Sequence, residues 1–92
     1  MELGKIPPHD IDAEQAVLGS MLTDRDAVNA AIETLKEDAF YRDDNRIIFQ
    51  AIVNLYSKSE PIDIITLKDE LESIDKFEQV GGYEYLANLP DK

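Results

Sequence analysis

The sequence contains no cysteine and no tryptophan, and only one histidine, His9, among its 92 residues. Without cysteine there are no disulfide staples and no thiolate metal sites, a usage that fits a reducing compartment. Glycine and proline number four each, too few for a low-complexity or collagen-like chain. No apolar run approaches the roughly 18 residues that a membrane-spanning helix requires. The N-terminus has neither a basic region nor a continuous apolar stretch, so it does not read as a secretory signal, and the expected location is the cytoplasm. Positive charge is also scarce: nine lysines and arginines stand against twenty acids, for a net charge of −11. The nine are scattered and no two are adjacent. A domain that grips a phosphate backbone normally carries a basic footprint, so direct nucleic-acid binding is not expected.

What is present is a helical pattern. Residues 1–9 read as a tail, held extended by Pro7 and Pro8. Asp10 suits an N-cap, with Asp12 and Glu14 in the first turn of a helix that has an apolar face (Ile11, Val17, Leu18, Met21, Leu22) and a small-residue face (Ala13, Ala16, Gly19, Ser20). Thr23, with Asp26 three residues on, is the expected start of a second helix, in which Val28, Ala31, Ile32 and Leu35 keep helical spacing. Asp43 or Asp44 is expected to cap the longest helix. Its adjacent apolar pairs four apart (Ile47 and Ile48, Ala51 and Ile52, Leu55 and Tyr56) give a stripe wide enough for burial on more than one side. Residues 57–61 stop it. Asp63 then caps a fourth helix with Ile64, Leu67, Leu71 and Ile74 inward and Lys68, Asp69, Glu70 and Glu72 outward. Phe77 to Val80 forms at most one turn, ended by Gly81 and Gly82, and Tyr85, Leu86 and Leu89 mark a short last helix closed by Pro90. No strand signal competes. The expectation is an all-α, compact orthogonal bundle of about six short helices, with residues 10–92 as one domain.

Chemistry is harder to find. The acid groups Asp10, Asp12 and Glu14, Asp24 with Asp26, and Asp43 with Asp44 sit where helices start, and none matches a calcium loop, so capping and solvated surface are the expected roles. His9 lies in a tail without a partner or pocket. The serines and threonines lack a nucleophile-elbow context. The Val80-Gly-Gly-Tyr83 stretch lacks the lysine and hydroxyl residue of a phosphate loop. No catalytic, cofactor or metal residue is therefore expected. Phe49 and Tyr56 fit the core of the long helix. Phe77 and Tyr83 fit no clear stripe and are the first candidates for a partner-contact surface.

Five blocks in order carry more information than any one of them: Pro7-Pro-His-Asp-Ile-Asp-Ala-Glu-Gln-Ala-Val-Leu-Gly19, Phe40-Tyr-Arg42, Arg46-Ile-Ile-Phe-Gln-Ala-Ile52, Glu60-Pro-Ile-Asp-Ile-Ile-Thr-Leu67 and Val80-Gly-Gly-Tyr-Glu-Tyr-Leu-Ala87. Together they resemble the N-terminal domain of bacterial replicative DNA helicases of the DnaB family, from about Ile6 to Leu89. The resemblance implies an all-helical head that pairs with other helicase subunits, builds a collar on a hexameric ring, and takes part in primase recruitment and helicase-loader contact. It implies that the helical hairpin, linker and RecA-like motor of the family are absent from these 92 residues. No Walker motif is present, and ATP and magnesium belong to the missing motor. The chain alone is then not an enzyme, and a monomer or weak dimer is expected. Ser59 stands before Glu60 where the family pattern suggests glycine. Two readings compete from other classes: a free-standing acidic adaptor or DNA mimic, and a small hydrolase using paired carboxylates.

Overall fold

The computed structural model describes residues 10–89, and all of its regular structure there is helical. Five α-helices run in the order α1 (Ile11–Thr23), α2 (Arg25–Thr34), α3 (Asp43–Ser57), α4 (Ile64–Ser73) and α5 (Gly82–Asn88), with one 3₁₀ turn at Glu37–Ala39. The expected count of about six is thus corrected to five among the described residues. The segment after α4 closes only one turn, through Val80 N–H to the Lys76 carbonyl (3.1 Å), before Gly81 reverses the backbone at φ +108°. The tail and Pro90 lie outside the described residues.

Two caps fall where the sequence puts them. The Asp10 carboxylate accepts from Ala13 N–H at 3.0 Å. Asp63 and Thr66 form a reciprocal capping box, Asp63 accepting from Thr66 N–H (2.9 Å) and the Thr66 hydroxyl from Asp63 N–H (3.0 Å). Two other starts differ. Thr23 ends α1 rather than opening α2, because its hydroxyl turns back to the Gly19 carbonyl at 3.2 Å. Asp24 is the cap of α2, accepting from Asp26 N–H. For α3 the N-cap is Arg42, without a side-chain cap bond, and both Asp43 and Asp44 lie inside the first turn. Carboxylates are still favourable there, facing the positive end of the helix dipole.

The core gathers around α3, which packs on α1, on the 3₁₀ turn and on α4, while α2 leans on α1 and α5 on α4. Ile48, Ala51, Ile52 and Leu55 are fully buried or nearly so, and meet Leu18 and Met21 of α1, Leu67 and Leu71 of α4, and Leu86 and Leu89 at the end of the chain in one cluster. Phe40 of the connector is fully buried and packs on Phe49, ring centroids 5.0 Å apart. Each buried Ile, Leu, Met or Phe side chain of this cluster contributes about 1.5–3 kcal/mol. The stripe ends differ from expectation. Tyr56 is 43% and Ile74 40% exposed, since each sits at the end of its helix, beyond its covering neighbour.

Candidate functional site

Four buried polar or charged side chains interrupt this core: Glu14, Gln15, Asn45 and Glu70. Three of them meet where α1, the start of α3 and α5 converge. Glu14 is fully buried, and its carboxylate accepts from Tyr41 N–H at 2.5 Å, from the Asn45 side-chain amide at 2.9 Å and, at longer range, from Arg42 N–H at 3.4 Å. Asn45 in turn accepts from the Tyr85 hydroxyl at 2.6 Å, and Tyr85 accepts from the Gln15 side-chain amide at 3.0 Å. The donors all run one way, from Gln15 through Tyr85 and Asn45 to the carboxylate, so each bond polarises the next. The Arg42 guanidinium caps the outside, 5.2 Å from the Tyr85 ring centroid and 2.7 Å from Asp44. Burial pushes the Tyr85 hydroxyl up from the ordinary tyrosine range, partly offset by the hydrogen bond from Gln15.

Glu14 is therefore neither cap nor solvated surface, which corrects the sequence expectation. Its oxygens are committed to N–H donors, so it holds backbone rather than moving protons. Glu70 is the second correction. It turns inward and pairs with Lys58 at 2.6 Å, while the Asn54 side chain lies 3.4 Å away. That hydrogen bond raises the Lys58 ammonium above the ordinary lysine range. A faint signal for both acids was present. Glu14 falls on the Val17, Leu18 and Met21 stripe, and Glu70 lies beside Leu67 and Leu71.

The outer surface offers few other features. A groove of about 420 Å³ opens between the α1–α2 corner and the end of α3, floored by Met21, Leu22, Val28 and Ile62 and edged by Asp24, Arg25 and Glu60. Among the described residues, no group of three or more His, Cys, Asp or Glu side chains could hold a metal ion. The two contact candidates are placed differently. Phe77 is half-buried against the core with the Lys68 ammonium 5.8 Å from its ring centroid, whereas Tyr83 is 59% exposed in the first turn of α5. His9 lies outside the described residues.

Against known proteins, a family described as DnaB-like helicase N terminal domain matches residues 6–92. The chain belongs to this family. Replicative DNA helicase DnaB of Leifsonia xyli subsp. xyli is 44% identical over 85 residues, a match covering 92% of this chain and 19% of that protein. The Treponema pallidum protein of the same name is 43% identical over 88 residues, covering 96% and 20%. Among solved structures, the crystal structure of the N-terminal domain of DnaB helicase from Mycobacterium tuberculosis superposes with a TM-score of 0.88 at 38% identity, covering 94% of this chain and 62% of that one. This DnaB-like N-terminal domain thus spans about a fifth of the length of the curated relatives it matches. The all-α expectation agrees with that neighbour, and no described helix is long and apolar enough to cross a membrane.

Proposed function

We propose that this domain is the non-catalytic assembly and docking part of a hexameric replicative DNA helicase. In this reading it contributes to the N-terminal collar, meets neighbouring helicase subunits, and helps to recruit primase and a helicase loader during DNA replication in the cytoplasm. ATP and magnesium then act in the motor of the whole helicase and not in this domain. The observation that carries the reading is the match to the DnaB-like N-terminal domain over residues 6–92, joined to a fold that superposes on a DnaB N-terminal domain at a TM-score of 0.88. The site geometry is consistent with it: the buried polar groups at the α1–α3–α5 junction serve one another, and the surface is strongly acidic. An acidic body repels DNA and leaves protein surfaces as its natural partners.

The test is sedimentation of this chain beside the whole helicase from which such a domain comes, with and without residues 1–92. Hexamers that assemble and bind primase equally well without the domain would refute the reading. So would ATP turnover by the pure 92-residue chain, or tight binding of single-stranded DNA to it at physiological salt.

A further inference from the structure

One edge of the domain combines exposed apolar side chains with unmatched negative charge. Ile65 on α4 is 72% exposed and Tyr83 on α5 is 59% exposed. Singly, such residues need no explanation. Here each neighbours a residue that touches Phe77: Lys68 follows Ile65 by one helical turn, and Gly82 directly precedes Tyr83. Phe77, in the turn between the two helices, is tied to α4 by the Lys68 ammonium over its ring, and its carbonyl accepts from Gly82 N–H at 3.1 Å, directly before Tyr83. On α4, Ile65, Asp69 and Glu72 are spaced i, i+4 and i+7 and share one side of the helix.

The charges along this edge do not balance. Asp69, Glu72, Asp75, Glu78 and Glu84 are all exposed, and none forms an ion pair among the described residues. Of the nearby lysines, Lys68 sits over Phe77, Lys76 reaches Gln79 at 3.4 Å, and Lys58, which lines a cleft with Asp69, is paired with Glu70. Of the arginines, Arg42 pairs with Asp44 and Arg46 with Asp43, and Arg25 lines the groove at the α1–α2 corner. A second copy of this chain would bring five carboxylates against five more, and nucleic acid or anionic lipid would be repelled in the same way. The occupant that fits is a cationic protein segment carrying apolar residues.

We propose that the edge formed by the outer side of α4, the 75–81 turn and the first turn of α5 docks a basic amphipathic segment of a partner protein, with Ile65 and Tyr83 as its apolar anchors. This names a surface and a partner chemistry for the docking role proposed above, and rests on it. Aromatic and aliphatic anchors surrounded by a charged rim are the usual anatomy of such a contact.

The probe is a synthetic amphipathic helix of leucine and lysine, about 18 residues or five turns long, titrated into the isotope-labelled 92-residue chain by amide-shift NMR. A lysine-only peptide of equal charge serves as control. The expected shifts centre on residues 65–84. Ile65→Ser and Tyr83→Ser are each expected to weaken the leucine-containing peptide about tenfold while leaving the lysine-only peptide unaffected. Glu72→Lys with Glu78→Lys weakens both. Equal affinity for both peptides, insensitivity to Ile65→Ser and Tyr83→Ser, or shifts centred on the groove beside Met21 and Tyr56 would overturn the proposal. Because both anchors are exposed, circular dichroism should show each variant folded. Failure here leaves hexamer assembly and primase binding by the whole helicase to judge the docking role separately.

Discussion

Replacing Glu14 by glutamine is the sharpest test of how this domain is held together. The change removes one negative charge and almost no volume. In the native state the carboxylate takes donors on both oxygens: Tyr41 N–H on Oε2, and the Asn45 amide, with Arg42 N–H at longer range, on Oε1. A glutamine has one acceptor oxygen, so its NH₂ must face a donor. If the oxygen serves Tyr41, the NH₂ meets the Asn45 amide. Asn45 can flip to present its own oxygen, but its NH₂ then faces Tyr85, whose hydroxyl loses the acceptor it uses now at 2.6 Å. Gln15 can flip in turn and accept from that hydroxyl. The backbone N–H of Arg42 cannot rotate, however, and meets the glutamine NH₂ where it now has Oε1; the opposite amide orientation sets that NH₂ against Tyr41 N–H. One buried polar group without a partner costs about 1–3 kcal/mol. The expected loss is therefore about 2 kcal/mol, from a total near 5–14 kcal/mol for a domain of this length.

Glu14→Ala should be worse, since both close donors lose their acceptor together and a cavity opens, with an expected loss of about 3–5 kcal/mol. Urea unfolding followed by helical circular dichroism reads both. With a slope near 1 kcal/mol per molar urea, the glutamine variant shifts the midpoint by about 2 M. Amide hydrogen exchange adds a local readout: Tyr41 N–H, bonded to Glu14, is expected to exchange slowly in the native protein and faster in the alanine variant. A glutamine variant within about 0.5 kcal/mol of the parent, with alanine no worse than an ordinary surface change, would refute the idea that the carboxylate anchors the connector.

Other expectations follow from single features. Ser59 adopts φ +58°, so Ser59→Gly should relieve left-handed strain and raise stability by about 0.5–1 kcal/mol, seen as a higher melting temperature. Gly81→Ala should destabilise by about 2 kcal/mol or more, because φ is +108° and the added Cβ would lie 2.8 Å from Tyr85 Cβ; unchanged melting would contradict this. Asp63→Ala removes one half of the capping box and should cost about 1 kcal/mol in urea unfolding. For pH, Tyr85 is raised in the folded state chiefly by burial, so the folded chain retains its proton beyond the point where the unfolded chain releases it. Its contribution is complete below the ordinary tyrosine value of 10.0 and is lost as pH rises through the folded value. Lys58, raised by its hydrogen bond to Glu70, is complete below its ordinary value of 10.5 and fades in the same direction. Stability measured from neutral to strongly alkaline pH should fall at the upper end, and Tyr85→Phe should remove part of that slope.

Local signals carried much of the fold. Asp10 and Asp63 cap as their position before apolar periodicity implies, and the Ile48, Ala51, Ile52 and Leu55 stripe becomes the centre of the core. The misreadings share a physical cause: the deciding partner is remote in sequence. An acid on a helix reads as solvated unless something hydrogen-bonds its oxygens, and for Glu14 that something is Tyr41 and Asn45, 27 and 31 residues away. Glu70 is drawn inward by Lys58, on the other side of a loop. The start of α3 was misplaced for the same reason, since the connector entering it is fixed by α1. Tyr56 and Ile74 continue their stripes correctly but outrun the neighbours that would cover them. Of the two contact candidates, periodicity isolated Phe77 and Tyr83 as exceptions without distinguishing the half-buried ring from the exposed one.

The remote links also explain how so small a domain fixes the orientation of its central helix. A stripe of Ile, Ala and Leu supplies adhesion, but apolar contacts alone tolerate sliding by a turn. The ends of α3 are locked by charge. Near its N-terminus stands the buried Glu14 carboxylate with Asp43 and Asp44, and at its C-cap stands Lys58, engaged by Glu70 of α4. Both arrangements follow the helix dipole, with anions at the positive end and a cation at the negative end. A one-turn slip would strand Glu14 without Asn45 and carry Lys58 about 5 Å from its place beside Glu70. Adhesion along the middle and charge at both ends therefore select one register, and α5 inherits it through the Tyr85 bond to Asn45. That inheritance fixes where Tyr83 faces, so the polar core governs the geometry of the docking edge without touching a partner.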